Sequence, residues 1–453
     1  MKRNLFKLFV IFALVLTMLV GCGSDSKGKD TAKDQGESGS EKVTDSGETT
    51  DTSDKGDESS DEKIVLSLYW WGNQTRNDLT QKAIDFYMDQ NPNIVIKPEF
   101  TDWSGYWDKL AAMTAGGNMP DIIQQDYRYL KQYQESGQIA DLTQFIEDGT
   151  IDTTNIPDSI IESGSIDGKV YAISLGSNAP MMIYDKGVVE QAGVTIPEQM
   201  TVSELFEIGE EIYAKTGVKT YFDGGMNMLP MVARGKGSYL YKELAEGTLD
   251  TVLEHFNNVD RFNKSEATIT PELLAEKDPD IVETKPIIDG STWNDFAFSN
   301  QYISVSEVAG RELGAIMYPT VDNLVEQPMY LKPSQFFSVA ETSKHKEEAA
   351  KFINWFTNSI ECNVILLGER GIPVSTVVAD GIKPKVSKDS AYVFDYIAKV
   401  SEVATPIDPS EPIGSGEIEA ILKSTVEAIR YGDLTPQDAA KEFVTQAQSI
   451  LNK

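Results

Sequence analysis

Between Ile64 and Asp126 the apolar and polar positions follow two alternating periods. The run IVLSLYWW (64–71) is rich in strand formers and stops at Gly72. Thr75 is placed to cap a following helix, with Asp78 three residues on, and Leu79, Ala83, Phe86 and Gln90 fall on one helical stripe that Asn91-Pro92 ends. NIVIKPEF (93–100) alternates as a strand does, and Ser104 is placed to cap a second helix carrying Trp107, Leu110, Ala111 and Thr114 along one side. Gly116-Gly117 and Pro120 stop that helix, and Asp121 to Asp126 reads as a third short strand. Strand, helix, strand, helix, strand predicts an α/β fold with parallel strands.

In such sheets ligands gather at the carboxyl ends of the strands. Those ends are Trp70-Trp71-Gly72 and Gln124-Gln125-Asp126, with Asp102-Trp103 just past the second strand. Ring faces cover the C–H faces of a sugar, and amides and carboxylates bind hydroxyls in pairs. A neutral, hydroxyl-rich ligand is therefore expected.

Further along, Tyr127 to Ser136 reads as a helix, and a connector leads to another beginning near Thr143. Asp167-Gly168 turns between two strand-like runs, the second of which is interrupted by Gly-Ser-Asn-Ala-Pro (176–180) before Met181 to Tyr184. Such an interruption predicts a first crossing between two lobes. Helices are expected over Thr201–Lys215 and Leu240–Phe256, a strand over Phe296–Phe298, a second crossing over Glu312–Pro319, and two helices in the tail from Glu417 to Leu451.

The order WWG (70–72), AGGNMPD (115–121), DGKVYAI (167–173), IYDK (183–186) with AGV and Pro197, then YLKPSQFFSVAETSKHKEEAAKFINWFTN (330–358) and GERGIPVS (368–375), resembles the extracellular solute-binding proteins of family 1. These are the sugar-capturing components of bacterial ABC importers. The resemblance runs from Ile64 to Leu451 and departs at Met200-Thr201-Val202, where the family usually has Thr-Trp after the proline. It implies a two-lobed periplasmic-binding-protein-like (type II) fold with a hinge, no enzymatic activity, no cofactor and an ABC permease as partner. The implied first lobe is 64–176 and 315–358, and the second is 177–314 and 359–453. Family members with a WWG start and a neighbouring Trp-Ser-Gly-Tyr-Trp resemble binders of plant-polysaccharide fragments.

Charge and location refine this picture. Forty basic residues face 71 acidic ones, for a net charge of −31, which argues against a nucleic-acid partner, since that would need a basic face. Two histidines and two cysteines exclude most metal sites and any disulfide framework. Residues 1–22 carry Lys2, Arg3 and Lys7, then the apolar run Leu8–Val20 and the end LVGC, which resembles a lipoprotein signal with Cys22 lipidated. Residues 23–63 hold 13 acidic and six basic side chains and almost nothing apolar, the composition of an extended, unfolded tether. A monomer on the outer face of the bacterial membrane is expected.

The candidate ligand residues are Trp70, Trp71, Trp103, Gln125, Asp126, Asn178, Trp293, Asn300, Gln301 and Arg370. Trp70 and Trp71 must point to opposite faces of their strand, with Trp71 toward the cleft. Trp103 and Trp107 lie one turn apart and could both be buried. Asp126 is either a hydroxyl partner or a helix cap and salt bridge, and Asn178, Asn300 and Gln301 sit at a crossing or a strand end. Trp293 is a platform or core, and Arg370 either faces an acidic sugar or pairs with Glu369 at the surface. Two other readings stay open, a non-sugar solute such as a peptide or polyamine and a receptor that presents ligand to a membrane sensor. A glycosidase built on Asp121 and Asp126 is disfavoured, because the two lie at opposite ends of one strand.

Overall fold

The computed structural model describes residues 63–277 and 281–453, so the expected leader, Cys22 and nearly all of the expected tether lie outside the described residues. Strands β1 (Ile64–Trp71), β2 (Ile94–Thr101) and β3 (Ile122–Gln125) are parallel in the order β2-β1-β3. Helix α1 (Gln74–Gln90) joins the first two, α2 (Trp103–Ala115) the next two, and α3 (Tyr127–Glu135) follows β3. Asn73 caps α1, and Asp102 caps α2, each two residues earlier than the sequence pattern suggested. Both are short side chains able to reach back to an N–H of the first turn, which Thr75 and Ser104 would have supplied from inside the helix.

The hairpin β4 (Ser165–Ile166) and β5 (Lys169–Val170) turns at Asp167-Gly168, both in the left-handed region, with φ of 51° and 78°. Next, β6 (Ile173–Ser174) forms an edge of the first sheet, and the chain leaves that sheet through β7 (Ser177–Asn178). β8 (Pro180–Asp185), β9 (Asn294–Phe298) and β10 (Leu313–Ile316) make a separate antiparallel sheet in the order β10-β8-β9. The return comes through β11 (Lys332–Pro333), which pairs with β7, and β12 (Phe336–Val339), which lies between β3 and β6. The expected crossing at Glu312–Pro319 is instead an edge strand of the second sheet, and the chain recrosses about fifteen residues later. The helix Ile360–Leu366 also stays with the first sheet, burying Cys362 and Leu366, so the final crossing falls at Arg370–Val374.

Each sheet has its own core. One face of the five-stranded sheet buries Trp70, Ile84, Phe337, Phe352 and Phe356, and the other buries Tyr69, Trp71, Tyr106, Ile123 and Phe336. A larger core surrounds the three-stranded sheet with Trp293, Phe256, Phe262, Tyr318 and Phe443. The tail forms two helices, Ser415–Tyr431 and Pro436–Leu451, packed on this second core through Ile418, Leu422, Phe443 and Val444.

Two of the titratable groups buried around the second core have opposite consequences. His255 is buried with one ring nitrogen 2.9 Å from the Gly224 carbonyl, and burial pushes its pKa down from 6.5 to about 4. Asp295, ion-paired with buried Lys285 at 2.9 Å, is pushed up by burial to about 6. The unfolded chain binds a proton at His255 that the folded chain refuses, so this contribution is lost as pH falls from about 6.5 toward 4. Asp295 acts the other way, since the folded chain holds its proton up to about pH 6. We predict that His255→Gln, which keeps a donor for Gly224, loses less stability than wild type between pH 7 and pH 5, by on the order of 2 kcal/mol in urea unfolding. Equal losses would refute the assignment.

Candidate functional site

The parallel register brings three strand ends and three helix starts to one edge of the first sheet. β1, β2 and β3 end at Trp71, Thr101 and Gln125, and α1, α2 and α3 begin within three residues of those ends. The caps there are Asn73, Asp102 and Asp126, which accept from Arg76 N at 2.8 Å, Gly105 N at 2.9 Å and Arg128 N at 3.0 Å. This edge therefore presents polar groups and positive helix ends together.

An aromatic cluster covers one side of it. Trp71 lies 4.9 Å from Trp103 and 4.9 Å from Tyr106 between ring centroids, and Trp107 lies 4.0 Å from Tyr129. The cluster is closed at Trp71, which is 8% exposed, and open at Trp103, which is 38% exposed. The Arg128 guanidinium stands 5.2 Å from the Trp103 ring and pairs with Asp126 at 3.0 Å.

Beside Trp71 lies Gln125. Leu68 and Tyr69 of β1 stand level with Ile122 and Ile123 of β3, so two residues on, Trp71 and Gln125 are neighbours on the same face. Gln125 is fully buried, and neither atom of its amide has a hydrogen-bond partner among the described residues. An unpaired buried amide costs about 1–3 kcal/mol, a deficit that a ligand hydroxyl would remove only once the side chains covering Gln125 moved aside. Gln124 is already committed, donating to the Trp71 carbonyl at 3.2 Å and accepting from Arg370.

Several expected ligand residues have other places. Trp70 is buried in the first core, its indole N–H donating to Asn77 Oδ1 at 2.9 Å, because the face opposite Trp71 is filled by the helices behind the sheet. Trp293 is buried in the second core and donates to Thr220 Oγ1 at 2.9 Å, so it offers no platform. Arg370 neither faces a ligand nor pairs with Glu369 at the surface. It is 2% exposed and donates to Gln124 and to Thr80 Oγ1 (2.8 Å), burial pushes its pKa down to about 9, and Glu369 pairs instead with Arg76 at 2.9 Å. Asp126 combines both duller roles, cap and salt bridge, while still lying at the strand end.

Gln301 is half-buried and accepts from Phe298 N at 3.1 Å within its own turn, while Asn300 is exposed beside it. Asn178 pairs with Lys332 across β7 and β11. Ser177 and Leu331, the residues preceding this pair, line a cavity of about 110 Å³ behind the crossing, so alternation turns Asn178 and Lys332 to the other side. Lys332, whose ammonium lies 4.9 Å from the Phe298 ring, was missed by pattern reading, as were Arg128 and Tyr129. The first two carry no apolar periodicity, and only the register of the crossing strands or the cap of α3 reveals them.

The acid pair fails on geometry. Asp121 accepts from Ser67 N at 2.8 Å, Ser67 Oγ at 2.7 Å and Ser343 Oγ at 2.7 Å at the start of β3, the end opposite Asp126. Among the described residues no cluster of His, Cys, Asp and Glu could hold a metal ion.

A family model described as bacterial extracellular solute-binding protein matches residues 82–393. The chain belongs to that family. It is thus a solute-binding component of ABC transporters, with the two-lobed fold of periplasmic solute-binding proteins. A family 1 extracellular solute-binding protein from Alicyclobacillus acidocaldarius is 28% identical, with TM-score 0.79 over 86% of this chain and 99% of that one. A de novo designed cysteine esterase, 22% identical, has TM-score 0.74 over 86% of this chain and 98% of its own. A periplasmic oligogalacturonide binding protein from Yersinia enterocolitica, 21% identical, has TM-score 0.71 over 86% and 99%. The latter two share the fold. In this solute-binding protein the one described cysteine, Cys362, is buried and its thiol pKa is pushed well up by burial, the opposite of a nucleophile's setting.

The separate settings of the indoles give a stability test. Trp70→Ala should cost about 3–5 kcal/mol in urea unfolding, whereas Trp103→Ala should cost below about 1 kcal/mol. Equal costs would contradict the placement of Trp103 at the open end of the cluster.

Proposed function

We propose that this chain captures a mono- or oligosaccharide, with plant-polysaccharide fragments as the first candidates, and delivers it to an ABC permease. The observation that carries the reading is the aromatic cluster, open at Trp103, on the strand-end edge where the buried Gln125 amide lacks a partner. Indole faces of this kind suit the C–H faces of a pyranose, and the amide offers a donor and an acceptor to adjacent hydroxyls. In this reading Trp71, Trp103, Gln125 and Asp126 contact ligand from the first lobe, and Asn178 and Asn300 from the second. The protein acts as a monomer held on the outer face of the cell membrane by lipid on Cys22, with residues 23–63 as tether.

Binding proceeds by hinge closure, ligand favouring the form in which both lobes touch it. To carry a mostly open population to a mostly closed one, ligand must favour the closed form by about 5 kcal/mol. Micromolar affinity corresponds to about 8 kcal/mol, so a sugar bound at that strength can supply it. No chemical step is part of this reading, and bound glycan leaves unchanged.

The related fold of an oligogalacturonide binder sets the first compounds to try. Thermal-shift titration with oligosaccharides of galacturonate, xylose, arabinose and glucose should give a rise in unfolding temperature with at least one. Gln125→Ala and Trp103→Ala should each weaken that binding about tenfold or more, equivalent to about 1.4 kcal/mol. A response to peptides or polyamines with none to any saccharide would overturn the proposal.

A further inference from the structure

Thr405 to Ile413, TPIDPSEPI, joins the helices Lys388–Ser401 and Ser415–Tyr431 without strand or helix of its own. Prolines at 406, 409 and 412 fix its backbone and remove N–H donors, so it cannot enter a sheet and loses less entropy when pinned. Side chains hold it instead. Arg234, buried on the helix Leu229–Gly235, donates to the Pro328 carbonyl at 2.7 Å, Thr405 Oγ1 at 2.6 Å and the Pro406 carbonyl at 2.9 Å, and pairs with Asp408. Tyr239 Oη donates to the Pro409 carbonyl at 3.3 Å. These contacts fix the strap to the second core.

Its other side meets the first lobe at Tyr127. The Tyr127 hydroxyl donates to the Asp408 carbonyl at 2.7 Å, and Ser410 Oγ donates to the Tyr127 carbonyl at 3.0 Å. Tyr127 opens α3 and directly follows Gln125 and Asp126, so the bridge is anchored on the strand end that carries the candidate site. The two bonds tie one lobe to the other without any ligand atom, and moving the lobes apart at this point breaks both.

We propose that the 405–413 strap is a latch and Tyr127 a positioning residue, together setting the open–closed balance of the ligand-free protein. Bonds that exist only when the lobes are together favour the closed form before ligand arrives. Apparent affinity scales with the population of the competent form, so residues that need not touch ligand tune it. The effect on affinity rests on the hinge-closing reading above, whereas the latch itself does not.

The test is pulsed electron paramagnetic resonance on ligand-free protein, spin-labelled at Lys82→Cys on α1 and Glu442→Cys on the helix Pro436–Leu451, both exposed. Tyr127→Phe and Ser410→Ala should each shift the distance distribution toward the separated form, by roughly two- to tenfold in population ratio, with the unfolding midpoint nearly unchanged. Ser424→Ala, whose hydroxyl bonds within its own helix, should leave the distribution as it is. Identical distributions in wild type, both variants and their combination would overturn the latch, as would an equal shift in the Ser424→Ala control. Titration with a galacturonate oligosaccharide is a separate arm. If no saccharide binds, the proposed function falls while the ligand-free distances still decide the latch.

Discussion

Everything the molecule can do as a hinge depends on how three crossing segments are tied around one carbonyl. The Arg370 carbonyl accepts from Ser334 Oγ at 2.5 Å and Gln335 Nε2 at 2.7 Å, and Gly176 packs so close that a Cβ there would lie 2.2 Å from that oxygen. Ser334 N donates to the Gly176 carbonyl at 2.9 Å, and Ser177 N to Ile372 O at 2.8 Å. The crossings at 174–180, 332–336 and 370–374 are thereby one bonded unit, in which rotation about any segment is shared by the others. Glycine at 176 is the condition for that approach.

From the same residue a polar chain runs into the candidate site. The Arg370 side chain reaches Gln124, and Gln124 holds the Trp71 carbonyl, as does Arg76 at 3.4 Å while pairing with Glu369. A buried cation of this kind is costly unless its donors are satisfied; its two terminal nitrogens find partners on β3 and α1, while Nε has none among the described residues. Its placement ties the crossing backbone to the strand end where Trp71 turns toward its aromatic neighbours. The arginine that looked like a ligand group instead braces the end of the first strand.

How much of this was legible in the chain follows from range. The β1-α1-β2-α2-β3 unit could be read because local period decides it, and the opposed faces of Trp70 and Trp71 follow from strand alternation alone. Caps slipped by two residues at Asn73 and Asp102, since several short polar residues compete for that position and only the final geometry selects among them. The late crossings at Lys332 and Arg370 were misplaced because β10 and the helix Ile360–Leu366 have the same local signature in either lobe. The burial of Trp293 and Arg370 was hidden for the same reason, as Thr220, Gln124 and Thr80 lie 73, 246 and 290 residues away. Gln125 was legible as a strand-end amide, but its lack of a partner was not.

In the proposed seat, ligand lies on the carboxyl edge of the first sheet, against Trp103 and Trp71 and next to the buried Gln125. A crystal structure of the protein with a bound oligosaccharide tests it most directly. The expected result is a sugar ring against the Trp103 indole, with a hydroxyl in hydrogen-bond contact with the Gln125 amide. A saccharide bound elsewhere, with that amide still buried and unpaired, would contradict it.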